Sequence, residues 1–441
     1  MANRGRRWRG RRGATRVPRG GCGSKPAAAP PPRPAARRLR SLLLLILLPL
    51  AGCRGQDPQV VPVPPPERVR IGAFMSTTGD TGQYGISALN GIRMAVEEAN
   101  ATGGVGGRRV ELIVRDTRSD VGETERVVRQ LADEARVHAL LGEIVSSRTV
   151  AAAAAAQAAG VPLLTPSATS PEVTRAGDYV FRSCYTDPLQ GSALAYFAVH
   201  TLGARRAAFL IDAGQNYSTE LARFIREEFT RRGGEVVLTS FYASGANDFR
   251  SQLGEVREAR PDVVFVPGYY LEAGLLARQA AQLGITAPLV GGDGWDSPRL
   301  YEIGGDAVVG DYYSSHFSAD DPDPMVRRFV EDYRRFFNNV TPDAFAATAY
   351  DAARILLDAC ARAPTLERAA VRDALAQTRD FPGVTGLVTF NAARDADKPL
   401  VVVRIGDNGR HAVAQRITPA QLVPEPTPTP TPTPPRRRSR R

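Results

Sequence analysis

Between Leu140 and Thr174 the chain reads LLGEIVSSRTVAAAAAAQAAGVPLLTPSATSPEVT. An apolar triplet, Ala139 to Leu141, leads into a loop ending in the hydroxyl pair Ser146 and Ser147. An Ala-rich stretch of helical composition follows, then a second apolar run, Val161 to Leu164, and a second hydroxyl loop, Thr165-Pro166-Ser167-Ala168-Thr169. The order is strand, loop, helix, strand, loop. Strands joined through a helix are parallel neighbours, so both loops leave from the carboxyl edge of one sheet, where open α/β sheets collect ligands. The first loop also opens a helix, whose free N–H groups and positive dipole end favour an anion. Taken singly, each loop has a plainer reading, a helix cap and an ordinary turn. Their pairing across one helix points to a ligand, and neutral donors of this kind suit a carboxylate.

The 441 residues are enough for two domains plus tails. The formal charge of +11 suggests a nucleic-acid binder, but the charge is unevenly spread. Residues 1–52 hold 13 of the 57 Lys and Arg and no acid, so the remaining 44 basic residues face 46 acidic ones. Without the five terminal arginines (Arg436, Arg437, Arg438, Arg440, Arg441) the folded part is acidic, and no nucleic-acid partner is expected.

The basic excess at the start precedes an apolar run, Leu42 to Leu50, too short to span a bilayer but of the length of a secretory h-region. It ends in Leu50-Ala51-Gly52-Cys53, which resembles a bacterial lipobox. Residues 1–52 are therefore expected to be a lipoprotein-type signal peptide and Cys53 the lipidated residue, with residues 53–67 a proline-rich tether. The mature protein would be exported and anchored to the cell membrane, on its periplasmic or outer face. Residues 424–441, Pro/Thr and Arg-rich, read as a disordered tail. Cys184 and Cys360 remain as small buried apolar residues, a disulfide being the lesser alternative. With no CxxC and four isolated histidines, neither a metal nor any other cofactor is expected.

Strands and helices then alternate as in a doubly wound fold. Val69 to Met75 is a strand, Thr77 to Gly85 a Gly-rich loop, Ser87 to Thr102 a helix, and Val110 to Arg115 the next strand. A second series starts at Asp187-Pro188, with strands Ala207 to Ile211, Glu235 to Phe241, Asp262 to Val266 and Pro288 to Gly291 separated by helices. Helices Pro324 to Asn338 and Asp343 to Ala363, then Leu366 to Thr378 and a strand Gly386 to Phe390, are expected to return to the first series. The strand Leu400 to Ile405 and one near Val413 would cross again. The expected lobes are residues 68–187 with about 317–392, and 188–316 with about 393–423. Repeated crossings make a hinge, and a hinge makes a cleft.

Loops at the strand ends supply hydroxyls at Ser146 and Thr169, aromatics at Tyr84, Tyr217 and Tyr269, and one acid, Asp293. Each has a dull alternative: half-buried tyrosine packing, or an acid in a glycine turn. Together they describe a zwitterion receptor. A carboxylate such as Asp293 is costly to desolvate unless a cation arrives with the ligand.

At these residues the sequence resembles the branched-chain amino acid (Leu/Ile/Val-type) binding proteins of bacterial ABC importers, of the type I periplasmic binding protein family. The resemblance rests on Gly79 to Gly85, Gly91 to Asn100, Gly103-Gly104, Leu141 to Thr149, Leu164 to Thr174, Phe181-Arg182 with Asp187 and Gln190-Gly191, Gly268-Tyr269, Arg278-Gln279-Ala280, and Gly291 to Trp295. It implies an α/β fold of two Rossmann-like lobes joined by a three-segment hinge, closing on a small amino acid and docking on an ABC permease. It also implies that Ser146 and Thr169 bind the α-carboxylate. The Ser167 carbonyl, Thr169 and Asp293 would hold the α-ammonium, while Tyr84, Tyr217, Tyr269 and Phe345 line the pocket. Asp293 stands where leucine-type receptors commonly carry Glu, and Val145 precedes Ser146 where some members have a disulfide. A sensor for a membrane signalling receptor, or a receptor for an amide or urea, are the alternatives. An enzyme is disfavoured, since no nucleophile elbow, HExxH or phosphate-binding GxxxxGK[ST] occurs.

Overall fold

The computed structural model describes residues 67–422, so the expected signal peptide, Cys53, nearly all of the tether and the Pro/Thr-Arg tail lie outside the described residues. The first series builds β1 (Val69–Met75), α1 (Gly82–Ala101), β2 (Val110–Asp116), α2 (Val121–Asp133), β3 (Ala139–Leu141), α3 (Ser146–Ala158), β4 (Leu163–Thr165), α4 (Glu172–Arg175) and β5 (Val180–Arg182). The strands form a five-stranded sheet in the order β2-β1-β3-β4-β5, parallel throughout, with Ile71 opposite both Leu112 and Ala139. Residues alternate across a strand, and here the alternation divides two cores. Val69, Ile71, Ala73 and Met75 pack on the α1 side. Phe74, Leu140 and Leu163 face α2 and α3. Alanines 152, 153, 155 and 156 let α3 lie close against Val127, Val128 and Leu131 of α2. Asp120 caps α2 by accepting the Glu123 amide at 2.7 Å, worth about 1 kcal/mol.

The second series gives α5 (Asp187–His200), β6 (Arg206–Asp212), α6 (Asn216–Arg231), β7 (Glu235–Tyr242), α7 (Arg250–Ala259), β8 (Val263–Val266), α8 (Tyr270–Gln282), β9 (Leu289–Gly291), α9 (Pro298–Gly304) and β10 (Tyr312–Ser315). The chain returns through α10 (Pro324–Phe336), α11 (Ala344–Arg362), α12 (Arg368–Ala376) and a hairpin, β11 (Phe381–Gly383) with β12 (Gly386–Val388). It finishes on β13 (Leu400–Ile405), β14 (His411–Ile417) and α13 (Pro419–Leu422). The second sheet has seven strands, β14-β13-β10-β9-β8-β6-β7, parallel from β10 to β7 and antiparallel at the β13–β14 edge. Helix α11 lies along α1 and touches β3 and β4, so the return segment joins the first lobe.

The chain passes between the lobes after β5, after β10 and before β13. Arg182, fully buried at the first passage, fastens the third: its guanidinium donates to Asp395 at 2.6 and 2.9 Å, to the carbonyls of Ala168 (2.9 Å) and Ser170 (2.6 Å), and to Thr174 (3.1 Å).

Two expectations need correction, and two short strands are additional to them. Helix α1 begins at Gly82, not Ser87, because the glycines serve the helix rather than a loop: a Cβ on Gly85 would lie 1.8 Å from the Ser76 carbonyl oxygen at the end of β1. Strands β5 and β10 carry Arg182, Ser314 and Ser315, polar residues that broke the apolar pattern and hid two short strands. The expected strand Gly386 to Phe390 joins neither large sheet: Gly386–Val388 pairs with β11 in a two-stranded hairpin, and Phe390 bridges to Ala396.

Candidate functional site

The loop after β3 is shaped from beneath by Glu143. This buried carboxylate accepts the amides of Ser76, Ile144 and Val145, each at 2.9 Å, and the hydroxyl of Thr117 at 3.0 Å. The Arg148 guanidinium pairs with it at 3.2 Å. Burial alone would raise the Glu143 carboxyl, but Arg148 and the amide and hydroxyl donors outweigh burial and hold it below its ordinary value. Gly142 lets the loop turn, with φ +133° and a hypothetical Cβ 2.0 Å from the Phe74 carbonyl oxygen. Ser146 is the first residue of α3, after Val145, and its hydroxyl caps no amide of that helix. It accepts instead from the amide of Ser170, at 3.3 Å, across to the second hydroxyl loop.

All eight residues singled out by sequence border one small, nearly filled pocket with about 10 Å³ of free volume. Tyr84, Ser146, Ser167, Thr169 and Phe345 come from the first lobe, and Tyr217, Tyr269 and Asp293 from the second. The Tyr84 ring lies 4.5 Å from Phe345 and 6.0 Å from Tyr269, which stacks on Tyr217 at 5.3 Å. The Tyr84 hydroxyl donates to the Gly294 carbonyl, and the Tyr270 amide donates to it at 3.4 Å, so the lobes are latched together at this point. Ser167 turns its hydroxyl toward Thr348 of α11, 2.7 Å away. A larger groove elsewhere, lined by Gln83, Asp296, Tyr313 and Asp343 among others, shares none of the eight residues.

Asp293 opens a 3-10 turn after β9 and is buried. One of its oxygens accepts from Gln190 (2.6 Å) and from the Tyr217 hydroxyl (2.7 Å); the other lies 3.1 Å from Nε2 of His316. Burial pulls the His316 pKa down, and the ring stacks on Tyr185 at 3.8 Å. Sequence reasoning left Gln190 and His316 without a role. Gln190 entered only within a quoted motif, and a single histidine after an unrecognised strand carries no spacing signal. The arrangement sets hydroxyls and a helix start for an anion opposite a carboxylate for a cation, with aromatic rings between.

A family model described as periplasmic binding protein matches residues 68–410. A Leu/Ile/Val-binding protein of Rhizobium johnstonii is 29% identical over 334 residues, covering 74% of this chain and 88% of that protein. Among solved structures, the leucine-binding protein LivK of Thermotoga maritima superposes with a TM-score of 0.76 at 37% identity, covering 80% of this chain and 99% of that one. The branched-chain amino acid transporter substrate-binding protein LivJ of Streptococcus pneumoniae, in complex with isoleucine, gives 0.76 at 32% identity, covering 80% and 100%.

Proposed function

Because the chain belongs to the periplasmic binding protein family, we propose that it captures a small amino acid, branched-chain or closely related, in the interlobe cavity and delivers it to an ABC permease. The observation that carries this reading is the convergence of Ser146, Thr169, Asp293 and four aromatic rings on one small pocket. The donors of Ser146 and Thr169 suit an α-carboxylate, Asp293 an α-ammonium, and Tyr84, Tyr217, Tyr269 and Phe345 an aliphatic side chain. The protein acts as a receptor and not as an enzyme. Its lobes are residues 68–187 with about 317–392, and 188–316 with about 393–423.

Ligand shifts the open–closed equilibrium only through its differential affinity for the closed state; moving it from 1:99 to 99:1 takes about 5.5 kcal/mol. A buried ion pair with several charge-assisted hydrogen bonds is of that size. The membrane attachment proposed here rests on Leu50-Ala51-Gly52-Cys53, with Cys53 as the lipidated residue. The deciding experiment is calorimetric titration of residues 68–422 with leucine, isoleucine, valine, an amide and urea. Micromolar or tighter binding of a branched-chain amino acid supports the reading; binding of the amide or urea alone refutes it.

A further inference from the structure

The three donors that the protein itself supplies to Asp293, from Gln190, Tyr217 and His316, leave that carboxylate little free acceptor capacity. Spare capacity lies beside it. Asp187, the first residue of α5, is 0% exposed, and neither of its carboxylate oxygens has a hydrogen-bond partner; the side-chain oxygen of Gln190 is unpartnered too. The Asp187 amide donates to the Thr169 carbonyl at 2.9 Å, which sets its side chain at the foot of the second hydroxyl loop. Gln190, one turn farther along α5 and on the same face, donates to Asp293 at 2.6 Å.

A buried polar atom left unpaired costs about 1–3 kcal/mol, and more when charged. The Thr169 hydroxyl and the charge of Arg182 offset that cost at Asp187 only in part. The nearby guanidinium of Arg182 is occupied by Asp395, Thr174 and two carbonyls, and the other charged neighbours, Asp293 and Glu220, are acids. Burial accordingly pushes Asp187 up to about 8. A group carrying several N–H donors and a positive charge would meet both deficits at once, and a primary ammonium has three donors.

We propose that Asp187 is a second carboxylate of the ammonium subsite, so that the α-ammonium of the bound amino acid sits between Asp187 and Asp293. This rests on, and sharpens, the amino-acid reading above: the receptor then requires a multiply donating ammonium rather than merely tolerating one. Deaminated acids and N,N-dimethylated amino acids, with no or one N–H donor, are excluded although their carboxylate and side chain fit.

The test is calorimetry of wild type, Asp187→Asn and Asp187→Ser with leucine, N,N-dimethylleucine and 4-methylpentanoate, which is leucine without its amine. Asp187→Asn is expected to weaken leucine binding about 30-fold or more while leaving 4-methylpentanoate unchanged or tighter. A merely structural role would weaken both ligands alike, and that outcome, or leucine affinity within threefold of wild type, overturns the proposal. The serine variant supplies the same ratio should the asparagine variant not fold. Wild-type binding of N,N-dimethylleucine as tight as of leucine also overturns it. Wild type that binds no amino acid brings down the amino-acid reading itself, a result distinct from an unaltered ratio in the variants.

Discussion

Replacing Glu143 by Gln removes one charge and keeps the side-chain shape, yet it strikes at the support of the first hydroxyl loop. One carboxylate oxygen of Glu143 serves Ser76, Thr117 and Arg148; the other serves the amides of Ile144 and Val145. Whichever way the new amide turns, its NH2 faces donors, so two or more groups lose their acceptor at about 1–3 kcal/mol each. Arg148, 5% exposed, keeps its charge with no counter-charge, and breaking a buried pair costs about 3–5 kcal/mol. The effects overlap, and a loss of about 4 kcal/mol in unfolding free energy is expected. Urea denaturation of E143Q, R148M and the double variant measures it. The double variant should regain about 2 kcal/mol over the sum of the singles, because removing Arg148 relieves the stranded charge. A coupling below about 0.5 kcal/mol would refute the argument that this pair acts as one unit. The sign with pH follows: Glu143 is held below its ordinary value, so its contribution is full above the unfolded pKa near 4.5 and is lost as pH falls through the lower folded pKa. E143Q should lose that part of the acid sensitivity. Ile144, Val145 and Ser146 border the cavity, so ligand affinity should fall with stability.

Three other outcomes are expected. Asp293→Asn should weaken leucine binding by about 100-fold in calorimetry, since an ammonium would be buried against a neutral amide; a change under threefold would exclude Asp293 from the site. Tyr84→Phe removes the hydroxyl that reaches the Gly294 carbonyl; at about 1 kcal/mol per hydrogen bond, affinity should drop about fivefold, with a more open ensemble by small-angle scattering. Asp395→Asn leaves the fully buried Arg182 without its counter-charge and should cost about 3 kcal/mol or more in urea denaturation.

Much of this was legible in the sequence for stateable reasons. Strand β1 was read to the residue because every position but Arg70 is buried, which leaves an apolar run bounded by polar loops. Six of the cavity residues could be named because hydroxyls, aromatics and one acid recur in loops at the carboxyl ends of strands, a place fixed by topology rather than by packing, whereas Ser167 and Phe345 came only from the family resemblance. What stayed hidden was polar and long-range. Ser315 is satisfied by Asp296, and the Gln190 amide nitrogen by Asp293, 103 positions away; no local pattern announces such pairs. Glycine misled in the opposite direction: at Gly85 it signals close approach to a strand end, and a reading that equates glycine with loops shortens α1.

The Arg182 guanidinium has a mechanical corollary. It grips the carbonyls on either side of Thr169 and, with the same planar fork, the Asp395 carboxylate on the last strand of chain passing between the halves. Grasp and pivot therefore share one bolt. A drift of the second hydroxyl loop would pull on that passage, so in the proposed receptor the filling of the site and the turning of the halves are coupled.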